Sequence, residues 1–348
     1  MERHLVFEVR PIVVSLLYET LILTDDDVKE LLDMREVIEV VEVAFREKCL
    51  GKVQMPPKVY LFYTKYDGDL RVMPSYLENL EISAVKVVNS HPRNRIAYGL
   101  PTVMAIVVLV DPKSGFPLSI MSGSWLTAMR TGAAGGIAVK YLAREDSEVV
   151  CFIGAGTQAR TQLMAISTVL KNLKEIRVYD VVEENAKAFA NYASKMLSGV
   201  GVQVHERPKE AVEGADIIVT TTPSREPIVM DQWIKAGVHF NCIGADAPGK
   251  EEIDPNILLR AKVVVDDLEQ AIHGGEINVP IAKGLFKREQ VYGELGEIVA
   301  GLKRGREELN EITVFTSTGL AIQDAVTAKL AYDKALSRCV GMKVRLVV

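Results

Sequence analysis

The chain has 348 residues, of which 48% are hydrophobic and 25% charged, and its formal net charge is -5 at pH 7. This is ordinary globular composition with length enough for two cored domains, and it excludes a disordered or fibrous chain. Lysines and arginines are scattered among acids, so the chain has no electrostatic footprint for nucleic acid, and the expected partners are small molecules or protein chains.

Cys49, Cys151, Cys242 and Cys339 are far apart and form no CxxC pair, as expected of reduced thiols in a cytoplasmic protein. His4, His91, His205, His239 and His273 show no HxxxH or HxH spacing, so no metal site is expected. The apolar stretch from Pro11 to Tyr18 is too short to span a bilayer and no small-residue cleavage pattern follows it. No membrane association is therefore expected, and this stretch reads as an extra strand or a loose extension.

In chain order, Thr24 followed by Asp25, Asp26 and Asp27 reads as a capped helix start, with Val28, Leu31 and Leu32 at helical spacing. A second helix carries Val37, Val40, Val41, Ala44 and Phe45 on one face and is expected to stop at Gly51. From Lys58 to Met121 the pattern turns strand-like, over 59–62, 70–73, 84–88, 102–110 and 118–121, which predicts a mainly antiparallel sheet. Beyond it strand and helix alternate: strand 148–153, helix 157–170, strand 175–179, helix 183–197, then strands near 202, 216, 238, 263 and 311. Alternation of this kind implies an α/β Rossmann fold, a doubly wound parallel sheet. A last helix, about 320–337, lines Ala321, Ala325, Ala328, Tyr332 and Ala335 along one side and is expected to return to the N-terminal region. The expected division is 1–128 plus 319–348 as an α+β substrate and dimerisation domain, with 129–318 as the Rossmann domain.

The segment Gly154-Ala-Gly156-Thr157-Gln158-Ala159 joins an apolar strand to a helix. Gly154 permits the tight turn, Gly156 lets the backbone approach a pyrophosphate, Ala159 allows close helix–strand packing, and the helix N–H groups face the phosphates. The next strand ends at Asp180 and Val181. A carboxylate at Asp180 accepts from adenine ribose hydroxyls and repels a 2′-phosphate, so NAD is expected over NADP. Thr221 and Thr222 close a later strand beside the same crevice; their hydroxyls serve the cofactor, or they are simply threonines in a strand. Ala245, Asp246, Ala247 and Lys250 follow the next strand, where Asp246 either reaches the nicotinamide end or makes an Asx turn. Asp266 and Asp267 read as structural caps.

Four cations lie within strand or helix sequence: Lys58, Arg71, Lys86 and Arg130. Singly, each reads more readily as solvated or ion-paired, but together beside a dinucleotide fold they suggest a pocket for an anion. Lys86 sits among Val85, Val87 and Val88, where desolvation lowers an ammonium's pKa and suits it to proton transfer near neutrality.

The motifs MPPK at 55–58, KVVNSHP at 86–92, GLPT at 99–102, MRTGAAGG at 129–136, GAGTQA at 154–159, GADAPGK at 244–250 and STGLAIQD at 317–324 resemble the ornithine cyclodeaminase/mu-crystallin family. The resemblance runs from about residue 20 to the end, and within the family it is nearest to the archaeal alanine dehydrogenases. It implies a homodimer whose N-terminal sheets meet, Lys86 as proton donor and acceptor, Arg130 and Thr131 by the cofactor and substrate carboxylate, Asp246 near the reacting amine or water, and Ser317 on the nicotinamide side. Cyclodeaminases carry a glutamate for ornithine's distal ammonium where this chain has Arg71, so the resemblance disfavours ornithine cyclisation. It implies instead that Lys58 and Arg71 hold the carboxylate in NAD-dependent oxidative deamination of L-alanine to pyruvate and ammonia. The alternative it leaves is a cyclic ketimine or N-alkyl amino-acid reductase, and further off a non-catalytic nucleotide-dependent binder.

Overall fold

The computed structural model describes residues 18–347. The apolar residues 11–17 lie outside them. The strands are β1 (Thr20–Leu23), β2 (Val53–Gln54), β3 (Val59–Tyr63), β4 (Gly68–Leu77), β5 (Ile82–Ser90), β6 (Val103–Val110), β7 (Pro117–Ser122), β8 (Val149–Ile153), β9 (Glu175–Tyr179), β10 (Gly201–Val204), β11 (Ile217–Thr220), β12 (His239–Cys242), β13 (Ala261–Val265), β14 (Val291–Glu294), β15 (Ile312–Thr316) and β16 (Met342–Val344). The helices are α1 (Asp25–Leu31), α2 (Met34–Cys49), α3 (Asn94–Ala97), α4 (Ser124–Leu142), α5 (Thr157–Val169), α6 (Glu183–Met196), α7 (Pro208–Val212), α8 (Pro255–Leu259), α9 (Leu268–Gly274), α10 (Asn278–Ala282), α11 (Leu295–Val299) and α12 (Ala321–Arg338).

Two sheets organise these elements. The first runs β16-β1-β7-β6-β5-β4-β2, with β3 also paired to β4. It is antiparallel except where β1 lies parallel to β7. The second runs β10-β9-β8-β11-β12-β15-β13-β14 and is parallel throughout, as the strand–helix alternation predicts. Thr24 caps α1 in a reciprocal box with Asp27, and α2 ends just before Gly51, which takes the left-handed conformation. The short strand β1 and the edge strand β16 beyond it were not anticipated: each has few residues, and their partners lie far away in the chain.

One apolar core fills the space between the first sheet and helices α1, α2, α4 and α12, around Val37, Phe45, Leu109, Leu126 and Ala328. Two more cover the opposite faces of the parallel sheet, one around Phe240 and Ile257, the other around Phe152 and Phe189. As expected, α12 turns back and packs on α2, α4, β4 and β5. The helix α4 serves both sheets, so the division expected after residue 128 falls inside a single continuous helix.

Close packing of α4 on α5 depends on a stripe of glycines. A Cβ on Gly132 would sit 2.5 Å from the carbonyl oxygen of Thr161, one on Gly135 would meet the Gln162 amide, and one on Gly136 would lie 2.9 Å from Ala165 Cβ. Gln162 and Asn241 then lock the contact. Gln162 Nε2 donates to Thr131 O at 2.9 Å, and Asn241 Nδ2 donates to Gly135 O at 3.1 Å.

Gly132→Ala tests this stripe. Helix propensity favours alanine by about 1 kcal/mol, whereas a collision with backbone costs about 1–3 kcal/mol. The expected result in thermal unfolding is a lowered midpoint, and a raised one would show that the helices are not in close contact.

Candidate active site

The end of β8 and the start of α5 form the predicted turn. Gly154 has φ +93, and a Cβ there would press on Thr221 and Thr222. Gly156 stands at the N-cap of α5 with no side-chain cap and open space where a Cβ would be, so a phosphate can approach the first N–H groups, including those of Thr157 and Gln158. Ala159 is buried in the core between α5 and the sheet. The buried Oε1 of Gln158 has no protein partner. Together with Asp180 at the tip of β9, these features fit a dinucleotide. Asp180 accepts from Ala155 N at 2.8 Å and Val182 N at 2.9 Å, which braces the turn, while Val181 stands exposed beside it.

The threonines after β11 are engaged with protein. Thr221 Oγ1 donates to Gly154 O at 3.1 Å, and Thr222 Oγ1 donates to Glu252 Oε1 at 2.8 Å. Glu252, fully buried, also accepts from Thr220 Oγ1, Thr222 N and Gly244 N, and so ties the ends of β11 and β12 beneath the crevice. Nothing in the sequence marked it out, because an acid beside Glu251 reads as surface.

The four cations do converge. Lys86 projects from β5 toward the helices and is 1% exposed. Its Nζ donates to Asp324 Oδ1 at 2.8 Å, and Arg130 Nε on α4 donates to the same oxygen at 2.8 Å. Arg130 Nη1 reaches Gln323 Oε1 at 3.2 Å. Gly319, with φ +76, is bare for a reason: a Cβ there would lie 2.5 Å from Arg130 Nη1. Thr131, next to Arg130, bonds back to Thr127 O within its own helix. Burial and the neighbouring Arg130 push the Lys86 ammonium down to about 7, against the pull of Asp324. Asp324 received no role from the sequence, although the STGLAIQD motif ends on it.

Lys58 Nζ donates to Thr318 O at 2.6 Å. Burial lowers its pKa to about 8, with Asp266 and Asp246 opposing. Asp266 corrects a sequence expectation. Asp267 does cap α9, accepting from Gln270 N, but Asp266 turns inward and is fully buried. It accepts from Thr318 N at 2.7 Å, Gly319 N at 2.8 Å and Ser317 Oγ at 3.3 Å, and so orders the loop between β15 and α12. Burial raises its pKa, a rise that Lys58 and the backbone N–H groups moderate.

Arg71 on β4 makes a paired contact with Asp69, at 3.1 and 2.9 Å, and reaches across to Asp246 Oδ2 at 3.0 Å. Its guanidinium lies 5.5 Å from the centre of the Tyr60 ring. Asp246, between the buried Ala245 and the half-buried Ala247, also receives Lys250 Nζ on Oδ1 at 2.6 Å. Burial would raise the Asp246 pKa, but Lys250 and Arg71 hold it well below the usual carboxylate range. Of the two readings of Asp246, the structure shows an ion-paired acid that joins the two sheets across the crevice. Beside it a cavity of about 30 Å³ is lined by Lys58, Tyr60, Asp246, Gln270, His273, Gly274 and Thr318. Among the described residues no cluster of metal-ligating side chains occurs, and no helix is long and apolar enough to cross a membrane.

Comparison with known proteins agrees with this geometry. Residues 18–338 match the ornithine cyclodeaminase/mu-crystallin family. An alanine dehydrogenase of Archaeoglobus fulgidus is 52% identical over 94% of this chain and 98% of its own length. The solved structure of an archaeal alanine dehydrogenase dimer with bound NAD superposes with a TM-score of 0.90 at 52% identity, covering 94% of this chain and all of that one. The Thermococcus litoralis Delta(1)-pyrroline-2-carboxylate reductase, solved with NADH and L-proline, also gives 0.90, at 46% identity over 93% of this chain and all of its own. With its Rossmann turn, its returning C-terminal helix and its buried lysine, the chain belongs to the ornithine cyclodeaminase/mu-crystallin family.

Proposed function

We propose that the protein is an NAD-dependent oxidoreductase that interconverts L-alanine with pyruvate and ammonia. The observation that carries this reading is the convergence of Lys58, Arg71, Lys86 and Arg130 beside the mouth of a dinucleotide crevice. Bound at the Gly154–Ala159 turn, NAD supplies the hydride acceptor for the substrate's α carbon. Lys58 and Arg71 hold the carboxylate. Arg71 still has donors on its terminal nitrogens beyond those given to Asp69 and Asp246, because a guanidinium carries five N–H groups. Lys86 in its neutral form accepts a proton from attacking water, and Asp246, which stays ionised, orients that water and stabilises the iminium charge.

The likeness to the Archaeoglobus alanine dehydrogenase, 52% identical over 94% of this chain, favours alanine as the substrate. A cyclic imine carboxylate presents the same carboxylate and the same C=N carbon, and the likeness to the Thermococcus reductase supports it as the second reading. We also infer a cytoplasmic homodimer. The outer side of the first sheet exposes Val59, Leu61 and Ile106, and the segment after β5 exposes Ile96 and Tyr98, apolar side chains of the kind that mark a contact between protein chains. The archaeal alanine dehydrogenase solved with NAD is itself a dimer.

Purified protein is expected to oxidise NADH with pyruvate plus ammonium faster than with a five- or six-membered cyclic imine carboxylate. Normal NADH binding without pyruvate-dependent turnover would remove the alanine reading and leave the imine. Because neutral Lys86 is the acceptor, alanine oxidation should rise with pH through about 7. Lys86→Met should lower kcat by about 10²–10⁴-fold while NADH affinity, measured by fluorescence, stays unchanged. A Lys86→Met protein with full turnover would rule out this role. On the assembly, Ile106→Glu should shift the protein toward monomer in light scattering.

A further inference from the structure

Lys86 has one buried carboxylate in hydrogen-bond contact among the described residues, and that carboxylate comes from the far end of the chain. Asp324, on α12, is 1% exposed, and both its oxygens lie 2.8 Å from Lys86 Nζ. It shares Oδ1 with Arg130 Nε. The charged groups that face Lys86 are therefore Asp324 from α12, Arg130 from α4 and Lys58 from the segment before β3. With Lys86 neutral, Arg130 and Asp324 form a balanced buried pair. Protonating Lys86 leaves the trio with net positive charge, which is tolerated only because Asp324 lies against the new ammonium.

We propose that Asp324 is a positioning residue for proton transfer: its carboxylate aims the Lys86 amine into the site and, divided between Lys86 and Arg130, sets how tightly Lys86 holds its proton. The proposal rests on the reading that Lys86 moves the proton. In the oxidative direction water adds to the iminium carbon. A C–O bond forms, the C=N π pair moves onto nitrogen, one water O–H bond breaks, and its proton passes to Lys86 Nζ. Asp324 stays a carboxylate throughout and meets the charge that appears on Nζ. A counter-ion that served only to neutralise Arg130 would have no reason to share Oδ1 with Lys86 Nζ and to lay its second oxygen, which has no hydrogen bond of its own, 2.8 Å from the same nitrogen.

The test is Asp324→Asn, which keeps the shape and removes the charge. Measurements are kcat/KM against pH, NADH affinity and the thermal midpoint, using whichever substrate the wild-type enzyme turns over, pyruvate plus ammonium or a cyclic imine carboxylate. Failure of the alanine reading thus stays separate from failure of this one. Loss of the negative charge disfavours the ammonium, so the pH limb assigned to Lys86 should move to lower pH by about one unit or more, with NADH affinity held within about twofold. If Asp324→Asn does not fold, Arg130→Gln gives the opposite sign: Asp324 then belongs to Lys86 alone and the limb should move to higher pH. A limb that stays in place in the folded variant, whatever the loss in kcat, would overturn the proposal and leave Asp324 a purely structural partner of Arg130.

Discussion

Positive charge taken out of water is the constraint around which this molecule is arranged. Lys86 and Arg130 are both within a few per cent of complete burial, and each unpaired buried ion costs several kcal/mol. The carboxylate that offsets them cannot come from β5, whose inward neighbours are Ala84 and Val88, nor from the glycine- and alanine-rich α4. It comes from α12. The return of the C-terminal helix across the N-terminal sheet is therefore a requirement of the chemistry as well as of packing. Details near it follow from the same need. Gly319 is bare because the Arg130 guanidinium occupies its side-chain space, and Asp266 gathers the N–H groups of Thr318 and Gly319 so that the loop leading into α12 has one conformation.

The helix α4 carries this arrangement to the cofactor turn. Arg130 and Thr131 lie at its site end, and one residue later Gly132 begins the stripe that lets α5 approach. Because α5 starts at Thr157, directly after Gly156, the distance between the Lys86–Arg130–Asp324 cluster and the glycine turn is set by a helix–helix contact with almost no slack. Arg71 and Asp246 supply the second connection between the sheets. That bond is of another kind: it spans the mouth of the crevice and ends on the partly exposed carboxylate of Asp246.

How much of this was legible in the sequence depended on how local the signal was. The Gly154 turn, the acid at Asp180 and a lysine among valines are each defined within a few residues, and in the structure Gly154 turns with positive φ, Asp180 braces that turn and Lys86 is buried. The strand–helix alternation predicted the parallel sheet for the same reason. Asp324, Asp266 and Glu252 were not legible from pattern, because their burial is created by partners on other elements, 30–32 residues away for the threonines on Glu252, 52 for Thr318 on Asp266 and 238 for Lys86 on Asp324. Asp266 and Asp267 show the limit sharply: they are identical neighbours, yet one turns inward to a loop while the other caps a helix, and only the packing of that loop decides which. The short strand β1 and the edge strand β16 were missed likewise, since each is short and their pairing joins the two ends of the described chain.

The balance of charge around the cavity also bears on which substrates the site can hold. Lys58, Arg71, Lys86, Arg130 and Lys250 face Asp69, Asp246, Asp266 and Asp324, so the cations exceed the acids by one when all are ionised. A substrate carboxylate completes the set. A second ammonium would not, because each nearby acid is already committed: Asp69 to Arg71, Asp246 to Arg71 and Lys250, Asp324 to Lys86 and Arg130. Diamino acids are thereby disfavoured by the electrostatics of the whole cluster, not by Arg71 alone. A monoamino acid, whose carboxylate and ammonium cancel, leaves that excess unchanged, whereas a diamino acid adds to it.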